Sequence, residues 1–127
     1  MGKALIVDDD KNSRLLLATL IQHTGHTALE ADSGAAALRI IADESPDLVI
    51  VDLSLPDING AELIGRLRKD PKTAKVPIAL YTATTMGPAL EQLVDAYAIS
   101  AVIPKPGDPK EVLETIRLLL TRDYPSA

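Results

Sequence analysis

The sequence predicts an α/β fold, a five-stranded parallel sheet with five helices packed on both faces. Two observations carry that prediction. Short β-branched apolar runs alternate with longer stretches of helical spacing, five times over. The runs are apolar at nearly every position instead of every second one, the pattern of strands covered on both faces. Strict β-α alternation of this kind builds a parallel sheet with right-handed crossovers.

Each element has its own warrant. The first strand, residues 4–7, reads Ala4-Leu5-Ile6-Val7 and runs into Asp8-Asp9-Asp10. Residues 12–23 form the first helix, and Gly25 suits a helix stop before the next strand. Thr27–Ala31 is a weaker strand centred on Leu29. Ser33 opens the second helix, with Ala37, Leu38, Ile41 and Ala42 on one side. Leu48–Val51 is the third strand and ends at Asp52. Asn59 followed by Glu62 marks the third helix start, continuing through Leu63, Ile64 and Leu67. Residues 78–81 form the fourth strand before Thr82, Pro88–Tyr97 the fourth helix, and residues 101–103 the fifth strand, ending near Lys105. The last helix opens with Asp108 as cap, Pro109 in the first position and Glu111 where a capping-box acid stands. Its apolar stripe is Val112, Ile116, Leu119 and Leu120.

A chain of 127 residues is one domain's worth of sequence. Residues 1–122 are expected to form that domain and residues 123–127 a short tail in which Pro125 helps end the structure. The net charge of −5 gives no general attraction to nucleic acid or anionic lipid. The absence of Cys excludes disulfides, thiolate metal sites and Cys nucleophiles, and two His residues are too few for a His-rich metal site. With three Tyr and no Phe or Trp, base-stacking platforms are disfavoured. No apolar run approaches a membrane span or a signal-peptide core, so a cytoplasmic protein without membrane insertion is the expectation.

In an open parallel sheet, ligands bind beyond the carboxyl ends of the strands. Here those ends carry Asp8-Asp9-Asp10, Asp52, Thr82 and Lys105. If the first and third strands are neighbours, Asp8, Asp9 and Asp52 converge. Carboxylates about 4 Å apart repel by about 4 kcal/mol per pair at an effective dielectric of about 20. Such a cluster keeps a proton or binds a cation. Hard oxygen donors without His or Cys favour Mg²⁺. Taken singly, each residue has a plainer reading. One acid of Asp8–Asp10 caps the first helix, Asp52 is a solvated turn acid, Thr82 a satisfied strand-end hydroxyl and Lys105 a surface lysine. The combination is far more specific than its parts. Asp8, Asp9, Asp10, Asp52 and Asp57 fall in two short loops expected to share one sheet edge, concentrated for a divalent cation.

Four segments in this order resemble the receiver domain of two-component response regulators: Leu5-Ile6-Val7-Asp8-Asp9-Asp10, the run from Val49 to Gly60, the run from Val76 to Ala83, and Ile103-Pro104-Lys105-Pro106. The resemblance covers residues 3–120. It implies a flavodoxin-like, doubly wound fold with strand order 2-1-3-4-5. It also implies that Asp52 accepts a phosphoryl group from a phosphohistidine. By the same resemblance Asp9 ligates Mg²⁺ directly, Asp8 acts through water, and Ser54 offers its backbone carbonyl to the metal. Thr82 bonds a phosphoryl oxygen, and Lys105 pairs with the acyl phosphate. The implied partners are a sensor histidine kinase or histidine phosphotransfer protein and an unidentified output protein or effector domain. The physics agrees, because phosphoryl transfer demands mainly positioning and cancellation of charge on three equatorial oxygens. Pro56 and Gly60 shape the loop after Asp52, Gly60 by permitting a backbone conformation that a side chain would obstruct, unless it is simply a small early-helix residue. Lys105-Pro106 resembles the family's Lys-Pro pair, which often has a cis bond.

Three positions depart from the family pattern. Val102 stands where a switch Tyr or Phe is usual, Ala98-Ile99 where Gly-Ala is frequent, and Pro104 is an extra proline. Val102 cannot act as a rotating aromatic gate, so output coupling is expected to be atypical. Tyr81 and Tyr97 are the nearby rings that could substitute, and their plainer reading is partly buried packing. Ile99 suggests tight packing before the fifth strand. Ser54 and Thr84 occupy the positions that tune hydrolysis, and neither is an acid or amide, so a phosphorylated state of moderate or long life is expected. The alternative is a receiver-like docking module acting independently of phosphorylation. An aspartate-nucleophile phosphatase fits poorly, because Ser54 replaces its second acid, and a flavodoxin-like cofactor binder fits worse. A stand-alone regulator and a part of a longer protein both fit the sequence.

Overall fold

A computed structural model describes residues 2–83 and 87–121. In chain order the elements are β1 (Lys3–Val7), α1 (Lys11–His23), β2 (Thr27–Ala31), α2 (Gly34–Glu44), β3 (Leu48–Val51), α3 (Gly60–Lys69), β4 (Ile78–Thr82), α4 (Pro88–Tyr97), β5 (Ala101–Pro104) and α5 (Pro109–Leu120). All strand pairs are parallel and the order is β2-β1-β3-β4-β5. The predicted fold class, strand order and five helices are those observed. Element boundaries move by one residue at β1, α1, β4 and β5.

The continuous apolarity of the strands has the expected cause. Alternate residues feed two cores. Leu5, Val7, Val49, Val51, Ile78 and Leu80 face α2, α3 and α4, where they meet Ala37, Ile41, Leu63, Ile64, Leu67 and Leu90. Ala4, Ile6, Leu48, Ile50, Ala79, Tyr81 and Ile103 face α1 and α5, where they meet Leu17, Ala18, Ile21, Val112, Ile116 and Leu119. A strand buried on both sides leaves no position for a polar side chain until it ends, so polar residues collect at its carboxyl end.

The helix starts follow their capping residues. Ser33 accepts from the Ala36 amide, Asn59 from Glu62, and Asp108 from Lys110. The α1 cap is Asp10, whose carboxylate accepts from the Asn12 amide and the Ser13 hydroxyl. Gly25 follows α1 in the left-handed region, with φ +85°, where a side chain is costly. At Gly60 a side chain would obstruct the backbone, as its position before the third helix suggested. A Cβ there would lie 2.6 Å from the Asp52 carbonyl oxygen and 2.7 Å from Leu53 Cα. The constraint is close approach of two backbones, with α3 beginning directly against the peptide of Asp52.

Ala98 follows α4 with φ +52°, the left-handed conformation that glycine adopts most easily. Ile99 is buried against the α4 side of the sheet, as tight packing before β5 predicted. Arg68 ties this corner together. Its Nε donates to the Tyr97 carbonyl at 2.8 Å and its Nη1 to the Val76 carbonyl at 2.6 Å. Weaker bonds reach the carbonyls of Ala74 and Ala98. One guanidinium therefore satisfies carbonyls left over at the end of α4 and in the connection before β4. Burial lowers its pKa from the usual arginine value, and arginine stays charged regardless.

Candidate functional site

Strand order brings β1 and β3 side by side, with Val7 opposite Val51. The next residues on each strand, Asp8 and Asp52, therefore emerge together at the centre of the carboxyl edge. Both are buried, at 1% and 6% exposure. β4 lies on the other side of β3 and ends at Thr82, which is also buried. β5 follows, and the Lys105 amide bonds the Thr82 carbonyl at 3.0 Å, which holds Lys105 at the same edge. The Lys105-Pro106 peptide is cis, as the Lys-Pro pair suggested.

Lys105 Nζ reaches across the edge to Asp8 Oδ2 at 2.8 Å and Asp52 Oδ2 at 3.0 Å. The remaining oxygens are held by backbone. Asp8 Oδ1 accepts from the Asp10 amide at 2.9 Å, and Asp52 Oδ1 from the Ser54 amide at 3.1 Å. Asp9 is exposed, and it offers a carboxylate oxygen that lies with one from Asp8 and one from Asp52 within a 4.8 Å span. Burial pushes the Asp8 carboxyl above its ordinary 3.8, partly offset by the bonds from Lys105 and Asp10. Burial also acts to lower the Lys105 pKa, but its hydrogen bonds to Asp8 and Asp52 outweigh that, and the ammonium is held above the usual lysine value.

Asp8, Asp9, Asp52 and Lys105 thus meet at one point, with Thr82 on the adjacent strand end. Ser54 touches Asp52 through its amide. Two acids expected at this edge do not join the cluster. Asp10 is occupied as the α1 cap. Asp57 accepts from the amides of Gly34 at 2.9 Å and Ala35 at 3.0 Å, at the start of α2, and from Ile58 at 2.7 Å. These bonds pull the Asp57 carboxyl below 3.8, the Gly34 amide foremost, and the Ser13 hydroxyl does the same for Asp10. Asp57 therefore ties the loop after Asp52 to α2. The sequence counts it among the acids of the cation edge, because its partners lie 22 and 23 residues away and are not visible locally.

A second unforeseen contact is Arg14, which donates to the Asp8 carbonyl at 2.8 Å and pairs with Glu30 at 3.2 Å. Val102 packs, half-buried, on the α2–α4 side of the sheet, whereas Tyr81 lies on the α1–α5 side. Tyr97 is the last residue of α4, its hydroxyl against Gly65 of α3. Tyr97 packs against the same core as Val102, and Tyr81 against the opposite one. Thr84 and residues 123–127 lie outside the described residues. Among the described residues, no helix is long and apolar enough to cross a membrane.

The donor set fits Mg²⁺. It is all oxygen, it holds more negative charge than one ammonium neutralises, and one carboxylate faces solvent where retained waters fit.

Comparison with known proteins bears on this arrangement. Residues 4–117 match the response regulator receiver domain family. PhoB, the phosphate regulon transcriptional regulatory protein of Pseudomonas aeruginosa, is 35% identical over 98% of this chain, which spans 55% of that protein. The chain thus spans about half of that relative. PilH of the same organism is 28% identical over 94% of this chain and 98% of its own length. The chemotaxis response regulator CheY4 of Vibrio cholerae superposes with a TM-score of 0.85 at 28% identity, covering 94% of this chain and 99% of that one. The acidic edge, the lysine that spans it and the 2-1-3-4-5 sheet beneath them are thus found in a chain that belongs to the response regulator receiver domains of two-component signalling.

Proposed function

We propose that this chain takes a phosphoryl group from a phosphohistidine onto Asp52 and uses the modified state to change its protein contacts. The observation that carries the reading is Lys105 Nζ bridging Asp8 and Asp52 at the strand ends, with Asp9 completing the carboxylate cluster. An Asp52 oxygen attacks phosphorus, the phosphorus–nitrogen bond of the donor breaks, and its electron pair leaves with the imidazole. Lys105 remains beside the product to pair with the phosphoryl oxygens, and the Thr82 hydroxyl bonds one of them. Asp8, Asp9, Asp52 and the Ser54 carbonyl would hold Mg²⁺, which supplies charge cancellation for the transferring group. Asp8 and Lys105 position Asp52, and burial keeps bulk water from competing for their hydrogen bonds.

The donor partner is a sensor histidine kinase or a histidine phosphotransfer protein, and the recipient is an output protein or effector domain. Residues 1–122 act as the receiver unit. The chain catalyses only its own phosphorylation and dephosphorylation. Intact-mass measurement after incubation with acetyl phosphate and Mg²⁺ tests the reading. One phosphoryl adduct is expected on wild type and none on Asp52→Asn. No wild-type adduct, or an undiminished one on the variant, would sink it. Ser54 beside Asp52 supports an adduct of moderate or long life, and loss within seconds in Mg²⁺ counts against that.

A second reading, docking independent of phosphorylation, draws on Val102. Without a ring at that position, the usual aromatic movement toward Thr82 has no agent. Output then runs by another route, or the surface works constitutively. Binding of a partner that is equal for wild type and Asp52→Asn under phosphorylating conditions selects the constitutive case.

A further inference from the structure

The geometry points to Tyr81 as a positioning residue for Lys105, holding its ammonium at the reaction edge through the face of the ring. The inference rests on the phosphoacceptor reading above. Tyr81 pairs with Ile103 across β4 and β5. Two residues beyond Ile103, Lys105 leaves β5 toward the same side of the sheet. Its Nζ stands over the Tyr81 ring, 5.6 Å from the centroid, within the range at which a cation is attracted by an aromatic face. Tyr81 is 3% exposed and belongs to the core on the α1–α5 side of the sheet, together with Ile103, Val112 and Ile116.

Among the described residues, the ammonium also bonds the carboxylates of Asp8 and Asp52. A divalent cation in the cluster competes for both, and phosphorylation alters Asp52. The ring is neutral, so neither event takes it away. Among these contacts, the Tyr81 ring is the support of Lys105 that persists through the reaction. It also joins the site to α5, on the opposite side of the sheet from Val102.

The test compares wild type with Tyr81→Phe, which keeps the ring, and Tyr81→Leu, which keeps only apolar bulk. In metal-free, unphosphorylated protein, the Lys105 Hε protons should be shifted upfield by the ring in wild type and Tyr81→Phe. The shift should vanish in Tyr81→Leu and persist in wild type on adding Mg²⁺. The initial rate of adduct formation from acetyl phosphate should fall about five-fold in Tyr81→Leu and stay within about two-fold in Tyr81→Phe. 4-Cyanophenylalanine at position 81 preserves size but drains the ring face, and should slow the reaction like leucine. Unshifted wild-type Hε protons overturn the contact, even if Tyr81→Leu fails to fold. A folded Tyr81→Leu with the wild-type rate, or a cyano variant as fast as Tyr81→Phe, overturns the positioning role. Failure of wild type to form any adduct sinks the phosphoacceptor reading and the positioning role with it, while an Hε shift retained in that case still establishes the contact.

Discussion

Replacing Asp9 with Asn separates two opposing effects of the acidic cluster. Asp8, Asp9 and Asp52 each place a carboxylate oxygen within 4.8 Å of the others, while Lys105 bonds Asp8 and Asp52. Two unit charges at that separation repel by about 3.5 kcal/mol at an effective dielectric of about 20, and by about 0.9 kcal/mol in bulk water. Asp9 is exposed, so the lower value governs its two pairs. Lys105, bonded to both neighbouring carboxylates, cancels about one of these repulsions, so neutralising Asp9 should relieve about 1 kcal/mol in the metal-free protein. With a urea slope of about 2 kcal/mol per molar, the unfolding midpoint in EDTA rises by about 0.5 M. Added Mg²⁺ reverses the order. At about 100 times the dissociation constant a bound ion stabilises by about 2.7 kcal/mol, and Asp9→Asn has lost a ligand for it. Urea unfolding followed by far-ultraviolet circular dichroism, in EDTA and in Mg²⁺, measures both effects. An Asp9→Asn variant no more stable than wild type in EDTA would refute the repulsion. Equal stabilisation of both proteins by Mg²⁺ would refute the role of Asp9 as a ligand.

Other perturbations probe the surrounding structure. Gly60→Ala drives a methyl group into the Asp52–Leu53 backbone, and should cost about 1–3 kcal/mol in urea unfolding while slowing Asp52 phosphorylation. Arg68→Met leaves carbonyls at the end of α4 and before β4 without their donor, a loss of about 2 kcal/mol that Arg68→Lys does not restore, because an ammonium lacks the planar fork. Asp57 has a folded pKa below 3.8 because three amides bond its carboxylate. Its stabilisation is present above that value and is lost as pH falls through the lower folded one. The stability gap between wild type and Asp57→Ala should therefore be open at neutral pH and close below about pH 3.8. A gap unchanged down to acid-unfolding conditions would mean that the carboxylate charge contributes nothing there.

Asp57 and Tyr81 show why part of the site is not legible along the chain. Asp8, Asp9, Asp52, Thr82 and Lys105 each end a strand or lie within two residues of its end, and strand ends can be read from local apolar density. Once β1 and β3 are adjacent, their positions follow from the topology. Asp57 follows no strand, and its bonds to α2 depend on how one loop folds back against another. Nothing in its neighbours distinguishes it from Asp10, which caps its own helix. Tyr81 reads as a core residue and is one. Its second role arises only because Ile103 is its partner in register and the chain turns at Lys105-Pro106.

What the sequence determined by itself is the α/β class, the order of elements and the set of polar residues delivered to one sheet edge. Those follow from local patterning, since a strand covered on both faces must be apolar until it ends. What only the tertiary structure decided is how those polar groups divide their work. Asp8, Asp9 and Asp52 form the cluster, Asp10 and Asp57 cap helices, and Lys105 rests between two carboxylates and a ring. That division depends on separations of a few ångströms between residues far apart in the chain. Hydrogen bonding and Coulomb interaction are set by those separations, and local sequence does not encode them.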